Sequence, residues 1–145
     1  MIRWAAALLL AAAVVSAAQT PSQQAVRLAL DASRALQGDS APRFLGYFDE
    51  DATADFEALR RGVTALLAQS RLASSVEAVP VAVRGDEVDL TLDWLLQITS
   101  EAEAGPVETR RQEVKATVRV EGGKPRFIAI EPVGFFAPAP LAPAR

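Results

Sequence analysis

The residues of this chain that could do chemistry are nearly all oxygen acids. It contains no histidine and no cysteine. That removes the commonest general base, the thiolate nucleophile and every Ser-His or Cys-His pair. Catalysis would have to run on carboxylates, Lys, Arg, Tyr or Ser. Glu77 and Glu131 are the candidate carboxylates: Glu77 shares Trp94's face in the strand register set out below, and Glu131 interrupts the apolar "FIAIEPV". A carboxylate set against aromatic walls has a raised pKa and can act as acid or base. Trp94, Tyr47, Phe44 and Phe135 are the candidate walls, with Tyr47 also a hydrogen-bond donor. Asp93, directly before Trp94, raises the question of whether the pair is an acid and its wall or two sides of one strand.

Other chemistry is thin. "DEDATAD" lacks the glycine and terminal glutamate of a calcium loop. Glu101, Glu103 and Glu108 come nearest to an oxygen-only metal site, but on a loop that can splay them apart. Arg110 and Arg111 could hold an anion, yet read as a solvated hairpin edge. "EGGK" is a turn rather than a phosphate loop, since no helix follows it. No metal and no cofactor are expected.

Three helices are predicted before any strand. Thr20-Pro21 is an N-cap with proline at the first helical position. Val26, Ala29, Leu30, Ser33 and Leu36 then share one face, and Gly38 ends the helix. Asp39 is placed to cap a second, short helix in "SAPRFLGYFD". A third follows "DEDAT", with Phe56, Leu59, Val63, Leu66 and Leu67 as its buried stripe.

The period then changes from 3.6 to 2. Val76–Arg84 reads as a strand with Val79, Val81 and Val83 on one side, and Gly85-Asp86 as a tight turn. Counting back from that turn sets Val83 against Val88, Val81 against Leu90, Val79 against Leu92 and Glu77 against Trp94. On the next hairpin, Trp94 is expected against Val114, Leu92 against Ala116 and Leu90 against Val118. One face is apolar across three strands, the face an antiparallel sheet turns toward its helices. Trp94 then points inward and Asp93 outward. Asp93 is expected opposite Lys115 and Asp89 opposite Arg119, pairs worth ~0–1 kcal/mol when exposed. Helices followed by hairpins argue an α+β fold, helices packed in a curved antiparallel sheet.

The ends read differently. "MIRW", "AAALLLAAAVV" and "SAAQT" give a basic start, a short apolar run and a small-residue cleavage site, a secretory signal over residues 1–18. The run is shorter than the ~20 residues of a spanning helix. The expectation is a secreted or periplasmic protein without stable membrane insertion after cleavage. A folded domain over 20–136 and a Pro/Ala-rich tail over 137–145 complete the organisation. The net charge of −3 and pI near 5.0 exclude nucleic acid as the favoured partner.

Helices first, "GDSAPRFLGYFDED" between the first and third, and hairpins ending in "RFIAIEPVGFF" resemble the nuclear transport factor 2-like superfamily. The resemblance implies a cone, cystatin-like in outline, in which a strongly curved antiparallel sheet wraps round the helices. That superfamily includes ketosteroid isomerase, polyketide cyclases, dehydratases and many binding domains without catalysis. In ketosteroid isomerase the base is an aspartate inside the cone, a requirement that the outward-facing Asp93 does not meet. The superfamily places a short strand before the third helix, for which "DEDATADF" leaves little room. Two functional readings follow. One is an exported, non-catalytic domain binding a small apolar ligand or an envelope protein, with Phe135 and Phe136 closing the cone or forming a homodimer surface. The other is an isomerase or dehydratase using Glu77 or Glu131 with Tyr47.

Overall fold

The computed structural model describes residues 19–101 and 107–138. The predicted leader, Glu103 and the tail beyond residue 138 lie outside the described residues. Helix α1, Pro21–Gln37, starts with the Thr20 side chain accepting from the Gln23 amide while the Gln23 side chain accepts from the Thr20 amide. This reciprocal cap satisfies two of the free amides of the first turn. Helix α2 is one turn, Ala41–Leu45, and its cap is Ser40, not Asp39. Asp39 instead turns the chain in the left-handed region at φ 61°, which aspartate tolerates better than most side chains. Helix α3, Phe56–Gln69, buries the five residues of its predicted stripe.

Between α2 and α3, Phe48 forms a parallel bridge with Phe127. Phe127 N–H donates to the Tyr47 carbonyl and Asp49 N–H donates to the Phe127 carbonyl, both at 2.9 Å. The strand for which the sequence leaves little room is thus present as a single bridge.

The sheet has four antiparallel strands in chain order: β1 Ser70–Arg84, β2 Glu87–Ser100, β3 Glu108–Glu121 and β4 Lys124–Glu131. Strand β1 begins at Ser70 rather than Val76, directly after α3. Its inward positions there are Ser70, Leu72 and Ser74, and the serines disguise the alternation. The Gly85-Asp86 turn joins β1 to β2 as predicted. A bulge between Pro80 and Ala82 then changes the pairing beyond it. One extra residue on one strand exchanges its two faces. Val76, not Glu77, therefore lies opposite Trp94, and Glu77 lies opposite Asp93 on the outer face.

Strands β2 and β3 pair two residues away from the predicted register: Leu92 with Val114, Leu90 with Ala116, Val88 with Val118. A shift of two preserves the faces, so the apolar side remains continuous. Asp93 lies opposite Glu113 and Asp89 opposite Thr117, not opposite Lys115 and Arg119. The β3–β4 turn is Gly122-Gly123 with φ 60° and 74°, a conformation that needs residues tolerant of positive φ at both positions. A 3₁₀ turn, Val133–Phe136, follows β4. The α+β architecture is that of helices held in one curved antiparallel sheet, and the core lies between the inner face of β2–β4 and the helices. Among the described residues no helix is long and apolar enough to cross a membrane.

Candidate functional site

Trp94 sits in the middle of β2 and is fully buried. Its indole meets Phe136 edge-on at 4.9 Å between centroids, with Phe135 at 6.4 Å and Phe44 at 6.5 Å. Phe44 also contacts Phe136 at 5.4 Å and Phe48 at 5.2 Å. Edge-to-face contacts of this kind add about 0.5–1.5 kcal/mol each beyond area burial. Three elements far apart in sequence, α2, β2 and the 3₁₀ turn, thus fill the space between sheet and helices with aromatic rings. Trp94 Nε1 donates to Ser74 Oγ at 2.9 Å, and Ser74 Oγ lies 2.7 Å from Ser33 Oγ on α1. Gln37 Nε2 donates to the Ser74 carbonyl at 2.9 Å. Among the described residues no buried side-chain nitrogen or oxygen lacks a partner. The interior is therefore packed with rings around a closed polar chain.

The predicted site residues separate. Trp94, Phe44 and Phe135 come together in this core. Tyr47 is half-buried at its edge and packs against it. Glu77 is on the outer face of β1, and Glu131 is exposed at the end of β4, opposite Lys115. Neither carboxylate lies against the aromatic rings. Glu131 instead borders an open cleft of about 790 Å³ on the sheet's outer side, with Asp89, Thr91, Lys115 and Thr117 beside it and Val133 and Gly134 at one end. Trp94, Phe44, Tyr47 and Phe135 take no part in that cleft.

Asp93 answers the question raised by its neighbour. It faces outward and receives two bonds from Arg111, Nε to Oδ1 at 3.0 Å and Nη2 to Oδ2 at 2.6 Å. The hydrogen bonds from Arg111 hold its carboxyl below the usual aspartate range, and those to Asp93 raise the guanidinium in turn. Both groups are in solvent, so the pair orders the surface without creating a reactive acid. Among the described residues no group of three or more Asp or Glu is placed to hold a metal ion.

No protein-family model matches the sequence, and no curated protein matches it significantly. Solved structures do. A protein of unknown function from Mycobacterium tuberculosis aligns with a TM-score of 0.60 at 14% identity, over 74% of this chain and 67% of that one. An NTF2-like protein with a cystatin-like fold from Novosphingobium aromaticivorans aligns at 0.54 and 18% identity, over 72% and 75%. The Δ5-3-ketosteroid isomerase of a Mycobacterium species aligns at 0.50 and 18% identity, over 74% and 89%. The chain has the nuclear transport factor 2-like fold.

Within this NTF2-like cone two features carry no obvious sequence signal. Arg110 does not form a solvated edge. Its Nη1 donates to the carbonyls of Phe135 and Ala137, both at 2.7 Å, while Glu108 holds its other side. This clamp fastens the segment bearing Phe135 and Phe136 to β3. The segment also runs close over α3, where a Cβ on Gly62 would come within 3.0 Å of the Ala137 side chain. Glycine at 62 is what permits that approach. The second feature is the Ser33–Ser74–Trp94 chain. Ser33 lies on the predicted inward face of α1, a hint that something polar awaits it, but only the fold reveals its partner 41 residues away.

Proposed function

We propose that the chain is an exported, non-catalytic NTF2-like domain that recognises an envelope protein through its surface. The observation that carries this reading is the occupied interior. Trp94, Phe44 and Phe136 fill the space that a small apolar ligand would need. The polar groups beside them are already bonded to one another. Ligand pockets of drug size typically have about 300 Å³ or more of enclosed, mostly apolar space with a few converging polar groups. The aromatic centre of this cone has side chains in that place. Export rests on the leader-like pattern of residues 1–18.

The test uses Trp94, the sole tryptophan beyond that leader. Titration with apolar aromatic and steroid-like probes is expected to leave its emission unchanged. Mass spectrometry of the protein purified natively from its own host is expected to find no small molecule. A stoichiometric apolar compound that also shifts Trp94 emission would overturn the reading. Detection of the mature chain in the cytoplasm with Met1 intact would overturn export.

The enzyme reading keeps one observation in its favour. Glu131 and Lys115 face each other across β3 and β4 beside the outer cleft. A carboxylate-dependent isomerase or dehydratase would have to work there and not in the cone. Turnover of a carbonyl substrate that is lost in Glu131→Gln, with the fold retained, would establish it.

A further inference from the structure

Strand β1 is an edge of the sheet, and among the described residues every position from Val79 to Arg84 is exposed. Val79, Val81 and Val83 are 55%, 60% and 53% exposed. We propose that the segment Glu77–Arg84 pairs edge to edge with the same segment of a second copy of this chain, in an antiparallel two-fold arrangement.

The register comes from the bulge. Upstream of it the outward residues are Glu77 and Val79, which pair with Asp93 and Thr91. Downstream they are Ala82 and Arg84, which pair with Asp89 and Glu87. Outward positions are thus odd-numbered before Val81 and even-numbered after it. In a sheet continued across a two-fold axis, directly opposed residues share a face. An outward odd position of one copy must therefore meet an outward even position of the other. The pairing that sets Glu77 against Arg84 satisfies this at every position outside the bulge. It sets Val79 against Ala82 and the inward Ala78 against the inward Val83, with the axis between Pro80 and Val81.

Charge selects a second copy as the occupant. Among the described residues Glu77 has no ion pair within 4 Å, and its one resolved influence is on Arg111 across the face. Arg84 bonds Asp89 at 2.9 Å yet is 63% exposed, so its guanidinium has donors left for another carboxylate. An acid at one end of an apolar strip and a base at the other form a pattern that a two-fold axis makes self-complementary. Pro80 and the bulge blunt the edge at its centre. They interrupt the ladder near the axis and leave its two flanks for pairing.

The experiment measures self-association by sedimentation velocity across a thousandfold range of concentration, with circular dichroism to confirm folding. The natural chain is expected to dimerise reversibly. Glu77→Arg and Arg84→Glu should each weaken the dimer tenfold or more, and the double variant should regain most of it, because both contacts are inverted together. A second readout fixes the register without charge. Under oxidising conditions Val79→Cys mixed with Ala82→Cys should give a disulfide-linked dimer, while neither variant should cross-link alone. A natural chain that stays monomeric throughout, a dimer indifferent to both charge changes, or cross-linking of either cysteine variant alone would overturn the proposal.

Discussion

The two halves of β1 invert the usual relation between side chain and burial. Ser70–Ala78 places two serines, Ser70 and Ser74, on the covered side, and α1 lies across it; Val79–Arg84 contains three valines and stands in solvent. The difference lies in what each half faces. Ser74 is admitted to the interior because it accepts from Trp94 and shares a hydrogen bond with Ser33. A buried hydroxyl with both partners present costs little, whereas the same group without them costs about 1–3 kcal/mol. The valines gain nothing comparable, because each stays more than half exposed among the described residues. Burial here follows the reach of α1, not the hydropathy of the strand.

The largest effect that can test this contrast is at the centre of the covered region. Trp94→Ala should destabilise the fold by about 3–5 kcal/mol, since it opens a large cavity among Phe44, Phe135 and Phe136. Urea unfolding followed by circular dichroism measures it. A loss below about 1 kcal/mol would mean that the aromatic cluster is loosely packed. Next comes Ser74→Ala, which leaves the indole N–H buried without an acceptor. The expected cost is about 1–3 kcal/mol. In Trp94→Phe, which has no indole N–H to strand, the same change should cost less. Equal costs in the two backgrounds would show that the hydrogen bond contributes nothing.

Much of this was legible beforehand, and the reasons are local. Helix α3 declares its face through Phe56, Leu59, Val63, Leu66 and Leu67, because nothing polar interrupts the 3.6-residue period. Trp94 and Asp93 separate because β2 alternates without a break. The rest depends on features that hydropathy does not encode. The bulge at Val81 is masked by the even spacing of Val79, Val81 and Val83, which reads as one unbroken face, so the count from the turn sets Glu77 beside Trp94 whereas it faces Asp93. The β2–β3 register missed by two residues because a long connection, unlike Gly85-Asp86, does not fix the pairing. Phe44 and Phe135 lie beside Trp94, and chain order does not say whether such rings line a space or fill it. The acceptors of Arg110 are main-chain carbonyls of a segment 25 and 27 residues further on, which no spacing rule anticipates.

At the exposed end of the comparison the expected changes are small. Val81→Thr should alter the stability of the monomer by less than about 0.5 kcal/mol, as for surface positions without special contacts. A loss comparable to that of Ser74→Ala would mean that the uncovered half of β1 packs against something in solution.

The smallest effect concerns Asp93, the outward neighbour of the largest fully buried side chain. Its carboxyl titrates below the usual range because Arg111 hydrogen-bonds the ionised form. A group whose folded pKa is depressed contributes stability above its unfolded pKa, about 3.9 for aspartate. That contribution disappears as pH falls through the folded value. Melting temperatures of the natural chain and Asp93→Asn should therefore differ slightly at neutral pH and converge as pH falls past the unfolded aspartate value and through the lower folded one. Salt should shrink the neutral-pH difference, since both partners are exposed. Arg111→Gln should show the same convergence, and adding Asp93→Asn to it should cost little more, because one interaction underlies both. A difference that persists unchanged at pH 2 would instead trace to how the side chain at position 93 packs on the outer face.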